Sequence, residues 1–393
     1  MLIVGGGLIG CCTAWHLARG GASVLLLEAG QLNAGASGQN AGSLHFQIER
    51  RFLEQGEAKA AEAARVVGLN RLAIDDWRGL EGELGVDVHV HMNGGLMVAE
   101  TAAEAAMLEA KVRQEAEHGL ATQILDAAGV QRIAPYLSDR VCAAAFSPDE
   151  GHADPRSLTP AFAAAARAAG AQILTDAPVL ALQKRPSGGF SASFGGANGQ
   201  RHGEIVADRV LVAAGVWTAH IAALANLHMP LYPVALLMNV NERAAPFMPH
   251  LVQHVGQRLS MKQADAGNVL IGGGWPSVLR RQGGAFDLGA RPDMKMTSLT
   301  ANLDIACRIV PRAADLNLIR SWTGKTAVSA DQLPIAGQVP RMPGFFVAAG
   351  GSAFTLGPTL ARLVAGEMLS DQPDPRLDVV SPARFEHLNS FMG

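Results

Sequence analysis

The chain has 393 residues, 49% of them hydrophobic and 17% charged, which is typical of a globular protein large enough for two or three domains. A net charge of −3 argues against nucleic acid as a partner, and no apolar run reaches the roughly 20 residues that span a bilayer. The four cysteines lack a CxxC spacing, so we expect free thiols in a reducing cytoplasm. An apolar strand predicted from residue 2 leaves no room for a signal peptide.

A glycine-rich turn follows this first predicted strand. Gly5 and Gly7 precede a helix that is predicted over 8–19. Leu8, Ile9 and Gly10 are its first residues. The first glycine permits the turn, the second lets backbone amides approach a phosphate, and the third lets the helix pack closely on the sheet. Because a helix N-terminus attracts anions, the motif predicts nucleotide binding, without distinguishing FAD from NAD.

Glu28 ends the second apolar run, and Ala29 follows it directly. An acidic residue at this distance from the glycines is suited to accept hydrogen bonds from an adenosine ribose. The next segment, 33–43, is so rich in small and polar residues that we predict a loop rather than a helix or a strand.

Helices and strands alternate along the remaining chain. The apolar spacing predicts helices over 49–84, 102–118, 161–169, 297–309 and 358–369, and strands over 94–98, 172–174, 206–214, 232–240, 258–262, 268–272 and 345–348. Alternation at both ends predicts a parallel nucleotide-binding sheet. The strand-rich middle, about 230–320, predicts an inserted antiparallel sheet.

Six segments in this order resemble FAD-dependent oxidoreductases of the D-amino-acid oxidase type. This group includes glycine oxidases, sarcosine oxidase β-subunits, D-amino-acid dehydrogenases and opine oxidase subunits. The segments are Gly5–Gly10 with Glu28, Ser37–Gly42, Gly151–Pro155, Val210–Gly215 with Trp217, Trp322–Gly324 with Asp331–Ile335, and Gly350–Pro358. The resemblance covers nearly the whole chain and implies FAD rather than NAD.

The fold class that we expect is α/β. The resemblance implies a Rossmann-type FAD-binding domain with an inserted, mainly antiparallel-sheet substrate domain of α+β type. We assign 1–85, 145–225 and 320–393 to the discontinuous FAD-binding domain, and 86–144 and 226–319 to the substrate-binding domain.

The resemblance also implies which residues contact the cofactor. The loop formed by Ser37, Gly38, Gln39, Asn40, Ala41 and Gly42 would run along the pyrophosphate and the ring edge, and the backbone of Val179 would meet the adenine. Further expected contacts are Ala214, Gly215, Trp217, Gly324, Gly350, Gly351, Phe354, Thr355 and Leu356. For Gly350–Gly357 the alternative is a plain helix start in a crowded sheet.

Two further expectations concern cofactor chemistry. Sarcosine oxidases attach their flavin through a cysteine near the segment that corresponds to Trp322–Gly324, where this chain has none, so we expect non-covalent FAD. No cysteine cluster suits an iron–sulfur centre, and we predict no metal-ligating residue.

The resemblance implies oxidation of a C–N bond in an amino acid or amine. A hydride leaves the carbon next to the nitrogen for flavin N5, and the resulting imine hydrolyses. Family members anchor the substrate carboxylate with a cation, but Thr326 and Thr355 stand at two familiar anchor positions. The cations that remain as candidates are Lys325, Lys262, Arg258 and Arg320.

The candidate catalytic residues are His45, Lys262, Lys325 and Thr355. His45 follows the flavin-side loop, where it would either accept a proton or simply be buried. Lys262 ends a predicted strand and would either enter the pocket or remain a solvated charge at a sheet edge. His152 is expected in a turn, with Asp154 and Pro155 opening the next helix.

Leu270 stands where monomeric sarcosine oxidases carry a lysine linked to oxygen activation, so we expect slow reaction with oxygen. The turn Phe354–Pro358 resembles that of β-subunits of opine oxidases and D-hydroxyproline dehydrogenases, which work beside an α-subunit that accepts the electrons. We therefore predict the catalytic β-type subunit of a heteromeric opine or amine dehydrogenase. The alternatives are a freestanding D-amino-acid dehydrogenase and a flavin-bearing electron-transfer subunit without its own substrate.

Overall fold

A computed structural model describes residues 1–196 and 201–392. Within these ranges the strands, numbered in chain order, are β1 (Leu2–Val4), β2 (Leu25–Leu27), β3 (Ser43–Leu44), β4 (Gly95–Ala99), β5 (Gln123–Asp126), β6 (Ala143–Ser147), β7 (Gly151–His152), β8 (Gln172–Leu174), β9 (Val179–Lys184), β10 (Phe190–Gly195), β11 (Arg201–Ala207), β12 (Val210–Val212), β13 (Leu231–Arg243), β14 (Leu251–His254), β15 (Ser260–Gln263), β16 (Asn268–Gly272), β17 (Arg281–Gln282), β18 (Ala285–Phe286), β19 (Leu318–Ser329), β20 (Ile335–Gln338) and β21 (Phe345–Ala349).

The α-helices in the same ranges are α1 (Leu8–Arg19), α2 (Ala36–Gln39), α3 (Arg50–Leu53), α4 (Glu57–Ala64), α5 (Val67–Leu84), α6 (Ala102–Glu117), α7 (Ala127–Ile133), α8 (Pro155–Ala168), α9 (Thr218–Ala223), α10 (Met296–Ile309), α11 (Gly357–Ser370) and α12 (Glu386–Met392). Short 3₁₀ turns occur at Gly215–Trp217, Pro311–Asp315, Pro375–Val380 and Pro382–Phe385.

A six-stranded sheet brings together strands from both ends of the chain. Its order is β20-β21-β12-β1-β2-β8, and all its pairs are parallel except the edge pair β20–β21. Helices α1, α8 and α11 cover one face, while β9–β11 and α9 pack against the other. Both faces of a strand such as Leu2–Val4 are therefore buried, which explains its uniformly apolar sequence.

A larger sheet of eight strands has the order β19-β13-β16-β15-β14-β4-β6-β5. Its pairs are antiparallel except β14–β4. Helix α10 covers one face of this sheet with Ile305, Ala306 and Ile309. Strands β6 and β19 both belong to this sheet, so the boundaries predicted at 145 and 320 cut through them. The other domain bounds stay predictions.

Several local predictions are wrong. The single strand predicted over 206–214 is the end of β11 and the separate strand β12. The helix predicted over 49–84 is three helices, because Gly56 with a φ of +94° ends the first turn and a further break follows Ala64. The loop predicted over 33–43 contains the short helix α2. By contrast, α1 has the predicted bounds, and Asp154 caps α8 by accepting a hydrogen bond from the Arg156 amide, as expected.

Two further observations concern the cysteines and the lengths of the helices. All four cysteines are free, and burial raises the pKa of the Cys11 thiol to about 12, so it is unreactive at neutral pH. Among residues 1–196 and 201–392, no helix has both the length and the apolar character needed to cross a bilayer.

Candidate active site

The glycine turn after β1 forms a close backbone crossing. Gly5 has a φ of +113°, and a Cβ there would lie 2.5 Å from the Ala213 carbonyl oxygen. A Cβ on Gly10 would lie 2.0 Å from the carbonyl oxygen of Gly5. Both positions therefore exclude any side chain, and the crossing places the start of α1 against the carboxyl ends of β1 and β12.

The N-terminus of α1 is available to an anion. Gly7 is the N-cap residue and supplies no capping side chain, while Ser37 Oγ accepts a hydrogen bond from the Leu8 amide at 3.0 Å. A Cβ on Gly7 would meet Ser37 Oγ at 3.0 Å. The first turn, which includes Ile9, thus has backbone amides that no N-cap side chain occupies, as a pyrophosphate requires, and Ser37 holds one of them.

Glu28 lies at the adjacent strand end. Its carboxylate accepts hydrogen bonds from the amides of Gly6 at 2.7 Å and Gly30 at 2.8 Å. Ala29, the residue after Glu28, is exposed. The Ala177 amide donates to the Glu28 carbonyl at 2.9 Å, which brings the start of β9 at Val179 close to the acid. The residues predicted for the ribose and the adenine are therefore neighbours.

Replacing Glu28 with alanine is expected to weaken FAD binding about 10–100-fold, because two charge-assisted hydrogen bonds that order the glycine turn are lost together with the ribose acceptor. Titration of apoprotein with FAD measures the change. Glu109→Ala, at an exposed position on α6, is the matched control and should bind FAD like the unmodified protein. Equal affinity in Glu28→Ala would contradict the assignment.

The flavin-side loop, Ser37–Gly42, packs beneath the larger sheet. Trp322 Nε1 on β19 donates to the Gln39 carbonyl at 2.9 Å, and a Cβ on Gly324 would lie 3.1 Å from Gln39 Oε1. Gly42 has a φ of +74°, and a Cβ there would lie 2.1 Å from the Ala153 carbonyl oxygen. The loop is therefore wedged between β19 and the segment that follows β7. Its other members, Gly38, Asn40 and Ala41, line a cavity described below.

The turn before α11, residues 350–356, is hydrogen-bonded to the residues that follow the flavin-side loop. Thr355 Oγ1 accepts from the His45 amide at 3.2 Å and donates to the Ser43 carbonyl at 3.4 Å, while Trp77 Nε1 donates to the Thr355 carbonyl at 2.7 Å. The Phe354 ring lies 5.5 Å from Trp77. Thr355 is buried and holds backbone in place. Helix α11 then begins after Leu356 without a side-chain cap.

The other predicted cofactor residues border the same region. Gly350 has a φ of +119° and its Cβ position lies 3.1 Å from Pro334 Cα, whereas that of Gly351 lies 2.7 Å from Arg51 Nη1. Ala214 and Gly215 follow β12 beside the Gly5 crossing, because the Gly5 Cβ position lies 2.9 Å from Ala214 Cα. Trp217 is more peripheral and 38% exposed.

Buried carboxylates hold the backbone next to His45. Glu150 accepts hydrogen bonds from the amides of Phe46 at 2.8 Å and Gln47 at 3.0 Å. Glu115 accepts from the Ile48 amide at 2.6 Å and pairs with the buried Lys111. Sequence inspection missed this network, since its members are far apart along the chain.

A cavity of about 460 Å³ opens between the flavin-side loop and the larger sheet. Its floor includes Gly38, Gln39, Asn40 and Ala41, and its walls include Val240, Leu270, Trp322 and Thr323 from the sheet. Titratable lining residues come from several segments and are His89, His152, Asp154, Arg156, Lys262, Asp265, Arg291 and Arg320. The cavity is thus bounded by apolar sheet residues with several convergent cations, as expected of a small-molecule site.

Lys262 is the buried cation of this cavity. It is only 3% exposed, and its Nζ lies 3.5 Å from the Ala153 carbonyl oxygen and 3.2 Å from the Cβ position of Gly42. Burial lowers the pKa of Lys262 to about 7, and Asp154 and Asp265 oppose that shift only in part. The alternative of a solvated charge at a sheet edge is therefore wrong.

Two further cations on the cavity wall lack acidic partners. Neither Arg291 nor Arg320 forms an ion pair with any residue in 1–196 or 201–392. Arg156 differs, because it pairs with Asp154 at 3.1 Å. Arg320 is one of the candidate anchors for the substrate carboxylate that the sequence predicts. Arg291 is not among them, and it lies in a loop without a recognisable motif.

The remaining candidates lie outside this cavity. Lys325 is on β19, and its Nζ donates to the carbonyls of Leu288 and Ala290 while lying 5.4 Å from the Trp217 ring centroid. His45 Nε2 lies 3.3 Å from Ser260 Oγ. Arg258 donates to the Gly274 carbonyl at 2.7 Å. The geometry thus favours Lys262 and Arg320 over Lys325 and Arg258 as contacts for a substrate.

His152 does not lie in a turn, as predicted, but in the short strand β7. Its backbone pairs with Ser43 of β3 and bridges to His91. Burial and the neighbouring charge of Lys262 lower the pKa of His152 to about 3, so the ring is neutral at physiological pH. The short run Gly151–His152 between turn residues gave no alternation from which a strand can be predicted.

A family model of FAD-dependent oxidoreductases, the DAO family, matches residues 1–367. The chain belongs to this family. The enzyme class predicted from the sequence, an FAD-dependent oxidoreductase, is thereby confirmed, and so are the α/β fold and FAD as the cofactor.

Relatives of known activity extend over the whole chain. The sequence is 28% identical to an opine oxidase subunit from Rhizobium meliloti, over 98% of this chain and 97% of that protein. It is 26% identical to human mitochondrial sarcosine dehydrogenase, over 98% of this chain and 41% of that longer protein. The fold is similar to glycine oxidase from Geobacillus kaustophilus, with a TM-score of 0.81, 24% identity and 97% of both chains covered.

The residues of this chain fit FAD. Glycines stand where side chains would block the N-terminal crossing, the first turn of α1 has no N-cap side chain, and the uncapped start of α11 is buried against the same region. Gly7, Ser37 and Glu28 would hold the pyrophosphate and ribose, and the flavin-side loop with the Thr355 turn would hold the ring. The bound flavin supplies a two-electron hydride acceptor.

Proposed function

We propose that this enzyme oxidises the C–N bond of a secondary amine that carries a carboxylate, an N-substituted amino acid such as an opine. The observation that carries the proposal is the convergence of Lys262, Arg291 and Arg320 on a cavity bordered by the flavin-side loop; within residues 1–196 and 201–392 none of the three forms an ion pair with an acid. A carboxylate leaving water needs such charge-assisted partners.

The chain's own residues bind and orient the substrate. Lys262 is placed deepest, next to Gly42, and would bind a carboxylate so that the neighbouring carbon lies over the flavin-side loop. Arg320 and Arg291 are exposed at the wall and would bind a second anionic group of the same molecule. Trp322, Leu270 and Val240 would exclude water from the reacting carbon and favour the uncharged amine.

Similarity to opine oxidase subunits from two bacteria supports a role as the catalytic component of a heteromeric enzyme. Leu270 lies on the cavity wall and supplies no cation itself, and in this proposal its neighbour Lys262 is occupied by the substrate carboxylate, so we expect a slow reaction with oxygen. Reduced enzyme should accordingly persist in air until a second subunit or another carrier accepts its electrons. The alternative of a freestanding D-amino-acid dehydrogenase needs Lys325 to bind the substrate carboxylate. Its contacts do not support that role, because Lys325 Nζ already donates to the carbonyls of Leu288 and Ala290.

Anaerobic mixing of the FAD-loaded enzyme with a panel of amines tests the proposal. Bleaching of the flavin is expected with N-carboxyalkyl amino acids. The same secondary amines without carboxylates should react at least about 100-fold more slowly, as loss of a buried ionic partner predicts. Faster bleaching by primary D-amino acids, or by amines without a carboxylate, would overturn it.

A further inference from the structure

Three histidines and one aspartate meet at the rim of the cavity. His89 Nδ1 lies 2.8 Å from Asp265 Oδ2, and His91 Nε2 lies 2.7 Å from Asp265 Oδ1. The ligand-capable atoms of His89, His91 and Asp265 all lie within 4.8 Å of one another. The Nε2 atom of His152 faces the same carboxylate at 3.9 Å.

Backbone structure fixes this cluster from three separate segments. His91 and His152 exchange backbone hydrogen bonds of 2.8 and 2.9 Å, and their rings lie 5.2 Å apart. Gly151 permits the pairing, because a Cβ there would lie 1.9 Å from the His91 carbonyl oxygen. Asp265 comes from the β15–β16 turn, so it reaches the histidines only in the folded chain.

The Asp265 carboxylate is the group that two buried imidazole nitrogens of the cluster face. The Nε2 atoms of His91 and His152 are shielded from solvent and lie 2.7 and 3.9 Å from Asp265 Oδ1. His152 is itself only 8% exposed. Several nitrogen atoms thus converge on one carboxylate that cannot accept ideal hydrogen bonds from all of them, whereas an ion placed between them would bind nitrogen and oxygen together.

We propose that His89, His91 and Asp265, with His152 beside them, bind one divalent transition-metal ion such as Zn²⁺. Imidazole nitrogen and carboxylate oxygen are the donor set that such ions prefer, whereas Mg²⁺ and Ca²⁺ favour oxygen ligands alone. Bonds of about 2.0–2.2 Å hold ligand atoms about 3–4 Å apart, a spacing that small side-chain rotations supply here.

The ion would join the 87–91 segment to the β15–β16 turn and add positive charge to the cavity rim. His89, His152 and Asp265 all line that cavity, so the ion would border the substrate site without replacing Lys262. The site is independent of the proposed reaction, and it departs from the sequence prediction of no metal. The His-Val-His spacing of residues 89–91 was the only local sequence signal for it.

Equilibrium dialysis of the tag-free, FAD-loaded protein against Zn²⁺, after treatment with a chelator, tests the site. One Zn²⁺ per chain is expected, with no comparable binding of Mg²⁺. Asp265→Asn preserves the shape of the side chain and should weaken Zn²⁺ binding about 10–100-fold or more, as should His91→Ala. His118→Ala, on the exposed end of α6, is the control and should bind Zn²⁺ like the unmodified protein.

A spectroscopic readout keeps the test informative if His91→Ala folds poorly. Cu²⁺ bound to the unmodified protein should show nitrogen hyperfine coupling in its electron paramagnetic resonance spectrum, and Asp265→Asn should alter that spectrum. The proposal is overturned if the unmodified protein binds no Zn²⁺, or if Asp265→Asn and His118→Ala bind it equally well.

Discussion

Replacing Gly10 with alanine is expected to abolish retention of FAD through purification and to lower the free energy of unfolding by about 1–3 kcal/mol. The added Cβ would lie 2.0 Å from the Gly5 carbonyl oxygen, so α1 must move away from β1 and its amides leave the cofactor site. Flavin content and chemical denaturation measure the two effects.

Two variants separate cofactor loss from loss of the fold. Gly7→Ala places a Cβ only near Ser37 Oγ, and the residue has an ordinary φ of −81°, so this variant should fold normally yet bind FAD at least tenfold more weakly. Gly79→Ala, in α5 with open space around its Cβ position, should bind FAD normally and be slightly more stable. Full FAD affinity in Gly10→Ala and Gly7→Ala would contradict the cofactor assignment.

Replacing Lys262 with methionine is expected to lower kcat/KM for a carboxylate-bearing amine about 10²–10³-fold, because the substrate anion then enters the cavity without its buried partner. Lys325→Met is the matched control. Since Lys325 itself does not line the cavity and its Nζ contacts the backbone carbonyls of Leu288 and Ala290, its loss should change kcat/KM at most about threefold. The reverse order of effects would assign the anchor to Lys325.

The pH dependence provides a second readout for Lys262. Its pKa is about 7 in the folded chain, against an ordinary value of 10.5, so below about pH 7 the ammonium form binds the carboxylate. KM should therefore rise with pH above about 7 in the unmodified enzyme and stay flat in Lys262→Met. A chelator in the buffer removes any contribution of bound metal.

The same shift predicts a stability effect. Between about pH 7 and 10.5 the unfolded chain binds the extra proton, so stability rises with pH across that window. Below pH 7 the unmodified protein has to bury a charged ammonium group, which lowers its stability. Lys262→Met has no such group and should be more stable than the unmodified protein below pH 7 by up to about 4–5 kcal/mol, and the difference should vanish near pH 10.5. Denaturation at several pH values measures it, and a constant difference would contradict the lowered pKa.

The cofactor half of the site was predictable because its signals are local. The turn Gly5–Gly10 and Glu28 lie within one strand-helix-strand unit, and their spacing alone determines that they meet. Helix α1 has its predicted bounds for the same reason. The error over 49–84 arose because apolar spacing continues across Gly56, whose positive φ ends the helix despite that pattern.

The substrate half depends on long-range contacts that the sequence does not encode locally. Alternation along β15 indicates that Lys262 shares a face with Ser260, but not that Ala153 and Gly42 cover that face. Arg291 reaches the cavity from a loop, and Asp265 meets His91 across 174 positions of the chain. Only the folded arrangement of β7, β15 and β19 brings these residues together.

The most direct test of the central claim is the stoichiometry of a single anaerobic turnover. FAD-loaded enzyme is mixed with an excess of an N-carboxyalkyl amino acid, and reduced flavin, amino acid and oxo acid are quantified together. One free amino acid and one oxo acid for each flavin reduced would show that a hydride left the carbon next to nitrogen and that the imine hydrolysed. Reduced flavin without those products, or flavin that stays oxidised with every carboxylate-bearing secondary amine, would contradict the account.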